Sequence, residues 1–203
     1  MTRLTLIVVC AFVLIVCTGS GSAERVLFDF ESDAELDLFY WKCHTLFTLS
    51  DEYATHGNSS LKLQLYPSDY PGLQPMLDGN DWRNYETFCF DIYNPERETL
   101  QIHVRIDDRK DYPEFGERYN ETFTIQPGLN QVRIPLKTLI TSGTKRTLNL
   151  ENIRRLFIFM IRPENRAVLY VDYLRIESSK GHSPEGEGKK AEKKGVFQKS
   201  PTN

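Results

Sequence analysis

Seven short runs of alternating apolar and polar residues, each closed by a turn signal, set the limits on what this chain can fold into. They are FDFES (28–32), SSLKLQLY (59–66), FCFDIYNP (88–95), LQIHVRIDD (100–108), YNETFTIQPG (119–128), NQVRIPL (130–136) and AVLYVDYLRIE (167–177). Successive side chains on a strand point to opposite faces, so a period of two marks strands with one face in the core. Segments of helical period and useful length are absent. Short strands at this spacing, punctuated by turns, predict an all-β chain. The expected form is an antiparallel β-sandwich or jelly roll of about 8–10 strands in two sheets.

A finer pass places the first strand at 26–30 and a helical turn at 32–38. A second strand is read over 40–49, and His56-Gly-Asn58 is a turn that accepts left-handed backbone. Residues 66–85, YPSDYPGLQPMLDGNDWRNY, read as one long loop, and a loop of that length in a compact domain is often functional. Residues 150–156 could form one helical turn. The following LFIFMI (156–161) is apolar on both parities and predicts a central strand covered on both sides. Parity breaks near Asp172 in the last run, which predicts a bulge.

The ends differ from the middle. Arg3, the apolar run LTLIVVCAFVLIVC (4–17) and the small residues up to Ala23 have the form of a secretion signal cut after Ala23. The apolar run is shorter than the ~20 residues needed to cross a bilayer. The alternative is a lipoprotein processed at Cys17, against which the bulky Val16 argues. Residues 24–177 hold 18 Lys+Arg against 25 Asp+Glu, a net charge of −7, which gives no support for nucleic-acid binding. Residues 178–203 hold 6 Lys against 3 Glu and few apolar groups, so a disordered basic tail is expected. The expectation is therefore a single domain over 24–177, secreted or periplasmic/extracellular, with no membrane span. Cleavage leaves Cys43 and Cys89, either paired as one disulfide or buried separately as thiols.

The chain resembles the β-sandwich carbohydrate-binding modules of the galactose-binding-like superfamily, especially their secreted stand-alone bacterial members. The residues that carry the resemblance are FDFES, YATHGNSSLKL, WRNYETFCFDIYNP, HVRIDD, RYNETFTIQPGLNQVRIPL, LNLENIRRLFIFM and LYVDYLRIE, which together cover nearly all of 26–177. The resemblance implies a non-catalytic module, a monomer, whose partner is a polysaccharide or oligosaccharide. It also implies one structural Ca2+. Its ligands would be Asp29 or Glu31, the turn at 56–58, and Asp172, since calcium takes several oxygens from carboxylates and carbonyls.

Sugar recognition needs aromatic faces for the ring C–H surfaces and planar polar groups for the hydroxyls. Trp41, Trp82, Tyr93 and Tyr112 are the expected stacking residues, with Tyr40 and Tyr85 as further aromatics off the core parity. Arg105, Asp107, Arg118 and Asn120 are the expected polar contacts. Catalytic patterns are missing: no GxSxG elbow, no HExxH and no Cys/His metal spacing occurs, and Asp107-Asp108 are adjacent and so point to opposite faces. Three functions remain in view. A glycan-binding module predicts exposed aromatics beside Arg105 and Asp107. A structural or protein-interaction module of the cell envelope predicts those aromatics buried. A small glycoside hydrolase or lyase requires two carboxyls facing each other across a cleft.

Overall fold

The structure, a computed structural model, describes residues 23–77 and 81–178, and at Trp41 and Lys42 the backbone alone. The signal segment up to residue 22, with Cys17, and the basic tail from 179 onward lie outside the described residues. Among the described residues no helix is long and apolar enough to cross a membrane.

Among the described residues eleven strands form. They are β1 (Glu24–Phe28), β2 (Phe39–Lys42), β3 (Thr45–Ser50), β4 (Ser60–Leu65), β5 (Gly72–Pro75), β6 (Thr87–Asn94), β7 (Leu100–Asp107), β8 (Tyr119–Ile125), β9 (Gly128–Pro135), β10 (Arg155–Phe159) and β11 (Ala167–Glu177). Among the described residues helical structure is confined to 3-10 turns, the longest over Asp33–Leu38. One sheet has the order β3-β4-β11-β6-β9, and the other the order β2-β5-β10-β7-β8. All pairings are antiparallel. The two-sheet antiparallel sandwich expected from the alternation is the observed fold.

The alternation is used as expected. On β7, Ile102, Val104 and Ile106 enter the core while Gln101, His103 and Arg105 point away from it. Val132 and Ile134 on β9 do the same between Gln131, Arg133 and Pro135. Each such aliphatic contributes roughly 1.5–3 kcal/mol by leaving water. One end of the core is aromatic: Phe28, Phe30, Phe39 and Phe47 lie with neighbouring ring centroids 4.9–6.3 Å apart.

β11 organises the larger sheet. Along one edge it pairs with β4 over 167–171 and with β1 over 174–177, while β6 takes the other edge. The register shifts between Asp172 and Arg175, and Tyr173 has φ 52°. This is the bulge that the parity break predicts, and it marks the point where one neighbour hands over to the next.

Three local readings are corrected. The run 40–49 is two strands in different sheets, because Cys43 and His44 both take positive φ (43° and 54°) and turn the chain from β2 into β3. Residues 66–85 are not one loop, since Gly72–Pro75 form β5, an interior strand between β2 and β10. Gly72 is required there. A Cβ on it would stand 2.3 Å from the Ile158 carbonyl oxygen and 2.5 Å from the Phe159 Cβ. Lastly, Cys43 and Cys89 are both free thiols: Cys43 is exposed beside β2, and Cys89 is buried in β6. The disulfide is not formed, and only one of the two thiols is in the interior. Burial first, then the nearby Glu177 carboxylate, pushes the Cys89 thiol up to about 11.

Candidate functional site

The outer face of the β2-β5-β10-β7-β8 sheet carries the main concentration of aromatic and guanidinium groups. Strand register builds it. Phe157 on β10 lies opposite Arg105 on β7, and Phe159 lies opposite His103. Directly opposed residues share a face and bring their Cβ atoms within about 5 Å. The Phe157 and Phe159 rings stack with centroids 4.5 Å apart and 13° between planes. His103 flanks Phe159 at 5.4 Å, and Tyr70, from the loop before β5, meets the same ring edge-on at 5.9 Å. Further out, Tyr40 lies opposite Gln74, and Tyr112 projects from the loop after β7 with 71% of its surface exposed. An open cavity of about 470 Å³ lies between Tyr40, Gln74, Met76, Tyr112, Arg154 and Arg155. That is within the ordinary range for small-molecule sites.

Asp107 organises the polar half of this face. It is fully buried. Arg105 donates to its Oδ2 through Nε and Nη2 at 3.0 and 2.8 Å, and Arg155 donates to its Oδ1 through Nη1 at 2.7 Å. Arg155 has further donors in use. It caps the carbonyls of Arg109, Lys110 and Asp111 and stacks over the Tyr112 ring at 4.0 Å. One buried carboxylate thus fixes two guanidinium planes, and one of these planes fixes both a loop and an aromatic. Arg118 sits one residue before the Ile106–Tyr119 pair, beside Asp107. Burial, and then the charge of Arg105, makes its protonated form less favourable than usual. Burial also lowers the basicity of His103.

The expected contact residues therefore separate. Arg105, Asp107, Tyr112 and Arg118 come together on this face. Asn120 is opposite Arg105, but its amide donates to the Arg118 carbonyl at 3.3 Å and the Ser142 hydroxyl at 3.1 Å, so it holds the neighbouring loop. Trp41 is opposite Leu73 in backbone register, and its side chain lies outside the described residues. Trp82 is not at the surface. It is fully buried, 5.6 Å from the Phe88 ring, and its amide is tied to the Leu150 carbonyl. An indole enclosed in the core has no face to offer a sugar. Tyr93 lies on the opposite side of the sandwich, stacked on Tyr53 at 3.7 Å. Phe157, Phe159 and Tyr70 are aromatics of this face that the sequence reading missed. The pattern held a signal for the first two: LFIFMI is apolar on both parities, and on the outer one Phe159 is covered by Tyr70 and His103 while Phe157 stays half-buried.

The expected calcium ligands are also on the far side. Glu31 accepts the backbone N–H groups of Asn58 and Ser59 (2.8 and 2.7 Å), which hold its carboxyl below the usual range. The carboxylate rests where a Cβ on Gly57 (φ 65°) would collide with it. Asp172 Oδ2 accepts from the Thr55 N–H, the Thr55 hydroxyl and the His56 N–H. Asp29 is 3.9 Å from the His56 Nδ1. Calcium requires carboxylate and carbonyl oxygens directed inward, whereas the turn here presents N–H groups. Among the described residues no group of three or more His, Cys, Asp or Glu side chains is arranged to hold a metal ion. Asp29, Glu31 and Asp172 in this arrangement do not fit a calcium site.

No family model and no curated protein matches the chain. Solved structures do. A family 11 carbohydrate-binding module from Clostridium thermocellum, in complex with a β-1,3-1,4-mixed-linked tetrasaccharide, superposes with a TM-score of 0.60 at 17% identity. The match covers 80% of this chain and 100% of that one. A solution structure of a module of the same type gives 0.61 at 18% identity, covering 79% and 98%. An exo-β-agarase gives 0.61 at 15% identity, over 75% of this chain and 24% of the enzyme. At these identities the likeness establishes the shared β-sandwich fold.

Proposed function

We propose that this chain is a secreted, non-catalytic module that binds a polysaccharide across the outer face of its five-stranded sheet. The observation that carries the reading is the half-buried Phe157, backed by Phe159, bordered by the exposed Tyr40, Tyr70 and Tyr112 and adjoined by Arg105 held rigid on Asp107. Sugar rings are apolar above and below and polar at the rim. A half-buried ring beside fixed planar donors matches that division, and preorganised donors reduce the entropy lost on binding. The fold shared with a module seen bound to a tetrasaccharide supports the reading, as does the signal-like first segment.

Binding is favoured over catalysis because the buried carboxylate of the face has both oxygens committed to arginines and neither left to move a proton. The alternative of a protein-interaction module draws its support from Trp82, which is buried as that reading expects. The test is affinity electrophoresis of the purified chain through gels containing a panel of neutral and charged polysaccharides. Retardation by at least one is expected. Phe157→Ala should weaken it roughly tenfold, since aromatic contacts of this size contribute on the order of 1–1.5 kcal/mol. A folded protein that no polysaccharide retards would transfer the assignment to protein interaction.

A further inference from the structure

Three guanidinium groups, from Arg105, Arg118 and Arg155, meet around the single buried carboxylate of Asp107. Arg155 is spent on Asp107 and three backbone carbonyls. Arg105 uses Nε and Nη2 on Asp107, which leaves Nη1. Arg118 is different. Among the described residues its guanidinium donates to no acceptor, its Nε is buried without a partner, and its contact is with the Phe115 ring at 5.7 Å. The charges near it are Arg105, which repels it, Asp107, whose oxygens are already taken by Arg105 and Arg155, and Glu114 at the exposed rim. A half-buried guanidinium beside a carboxylate that two other arginines already occupy, with its own Nε buried and unbonded, keeps donor capacity for an acceptor from outside.

We propose that the ligand is an anionic polysaccharide, and that Arg118 with the free Nη1 of Arg105 receives an oxyanion carried on the sugar, either a carboxylate or a sulfate ester. This rests on the polysaccharide-binding reading above and names the class of glycan. Planar guanidinium groups pair with both kinds of oxyanion in two-pronged fashion. The location suits the task. Phe157 faces Arg105 across the β7–β10 register, so a ring stacked on Phe157 would direct its rim substituent at the arginines. The surplus is local: residues 24–177 are acidic overall, so a polyanion would be drawn by this cluster and not by the charge of the domain as a whole.

The experiment compares matched pairs that differ in the charge alone. The pairs are polygalacturonate against its full methyl ester, and a carrageenan against the same polymer desulfated, each with wild type and Arg118→Gln. The charged member of one pair should bind at least about tenfold tighter, as expected for a charge-assisted hydrogen bond. The pair that shows the preference identifies carboxylate or sulfate as the group. In Arg118→Gln the preference should fall below about threefold. If that variant does not fold, salt decides on the wild type: the preference must shrink as sodium chloride rises from about 50 to about 500 mM. Equal binding of both members, a preference unchanged in folded Arg118→Gln, or a preference indifferent to salt overturns the inference and leaves polysaccharide binding intact. Failure to bind any of the four polymers or any neutral glycan overturns both.

Discussion

The two outer faces of this sandwich are made of the same materials and end in opposite states. Each carries aromatic rings and buried acids. On the larger sheet, the segment 51–58 lies over the strands, with Tyr53 on Tyr93 and Tyr170. Most of the acids there are engaged by the chain itself, Asp172 by three donors from Thr55 and His56 and the exposed Glu31 by two amides, while the buried Asp91 faces the Arg175 guanidinium at 3.6 Å. On the five-stranded sheet Tyr70 and His103 close over Phe159, but Phe157 stays half-buried, and Arg118 is left without an acceptor among the described residues. Residue type does not separate a binding surface from internal packing. What separates them is whether the chain's own backbone has already used the hydrogen-bonding capacity of the polar groups and the faces of the rings.

The largest expected effect falls on the acid of the open face. Asp107→Asn would leave Arg105 and Arg155 facing an amide NH2 or a weakened acceptor inside a buried site. Breaking one partner of a buried ion pair costs about 3–5 kcal/mol, to be read from urea unfolding. Polysaccharide binding should fall as well, because Arg155 would no longer fix the 109–111 segment and Tyr112. A loss under about 1 kcal/mol would mean that the two guanidiniums are not held by this carboxylate, and the contrast between the faces would fail.

The corresponding acid on the covered face should cost less. Asp172→Asn removes the charge that gathers the Thr55 and His56 donors but keeps an oxygen to accept one of them, for an expected loss of about 1–3 kcal/mol. Binding on the far sheet should be unchanged. The same preparation tests the donor geometry at 55–59: a chelator should leave the unfolding midpoint of the wild-type protein where it was. A midpoint that drops with chelator would show oxygens, not amides, turned inward at that corner.

Much of this fold was legible in advance, and the gaps have physical causes. Alternation says which residues leave the core, so Arg105, Asp107 and Tyr93 were all correctly read as pointing outward. It does not say which sheet a strand joins. Tyr93 and Arg105 were therefore assigned to one surface although β6 and β7 belong to different sheets. The short β5 was hidden because Gly and Pro bound it on both sides, and those residues signal turns more strongly than four residues signal a strand. LFIFMI read as a strand covered twice, since hydrophobicity cannot tell a ring packed under a layer from a ring awaiting a ligand. Trp82 failed in the other direction. Its neighbours Asp81 and Arg83 are polar and paired with each other, so the segment has the composition of a surface loop while its one indole packs inward.

Tyr93 offers the finest test of the contrast, because it was expected to touch a ligand and is instead engaged by Tyr53 at 3.7 Å. Tyr93→Ala removes that stack and one wall beside Tyr170. An aromatic pair contributes about 0.5–1.5 kcal/mol beyond area, so a stability loss near 1 kcal/mol is expected. Polysaccharide retention should match wild type within error, whereas Phe157→Ala, which breaks its own stack on Phe159, should lose a similar amount of stability and in addition most of the retention. The double comparison is more informative than either variant alone. If Tyr93→Ala impairs retention while the protein stays folded, the 51–58 segment is not a permanent cover but one that a glycan displaces, and the faces differ in how tightly each is occupied rather than in kind.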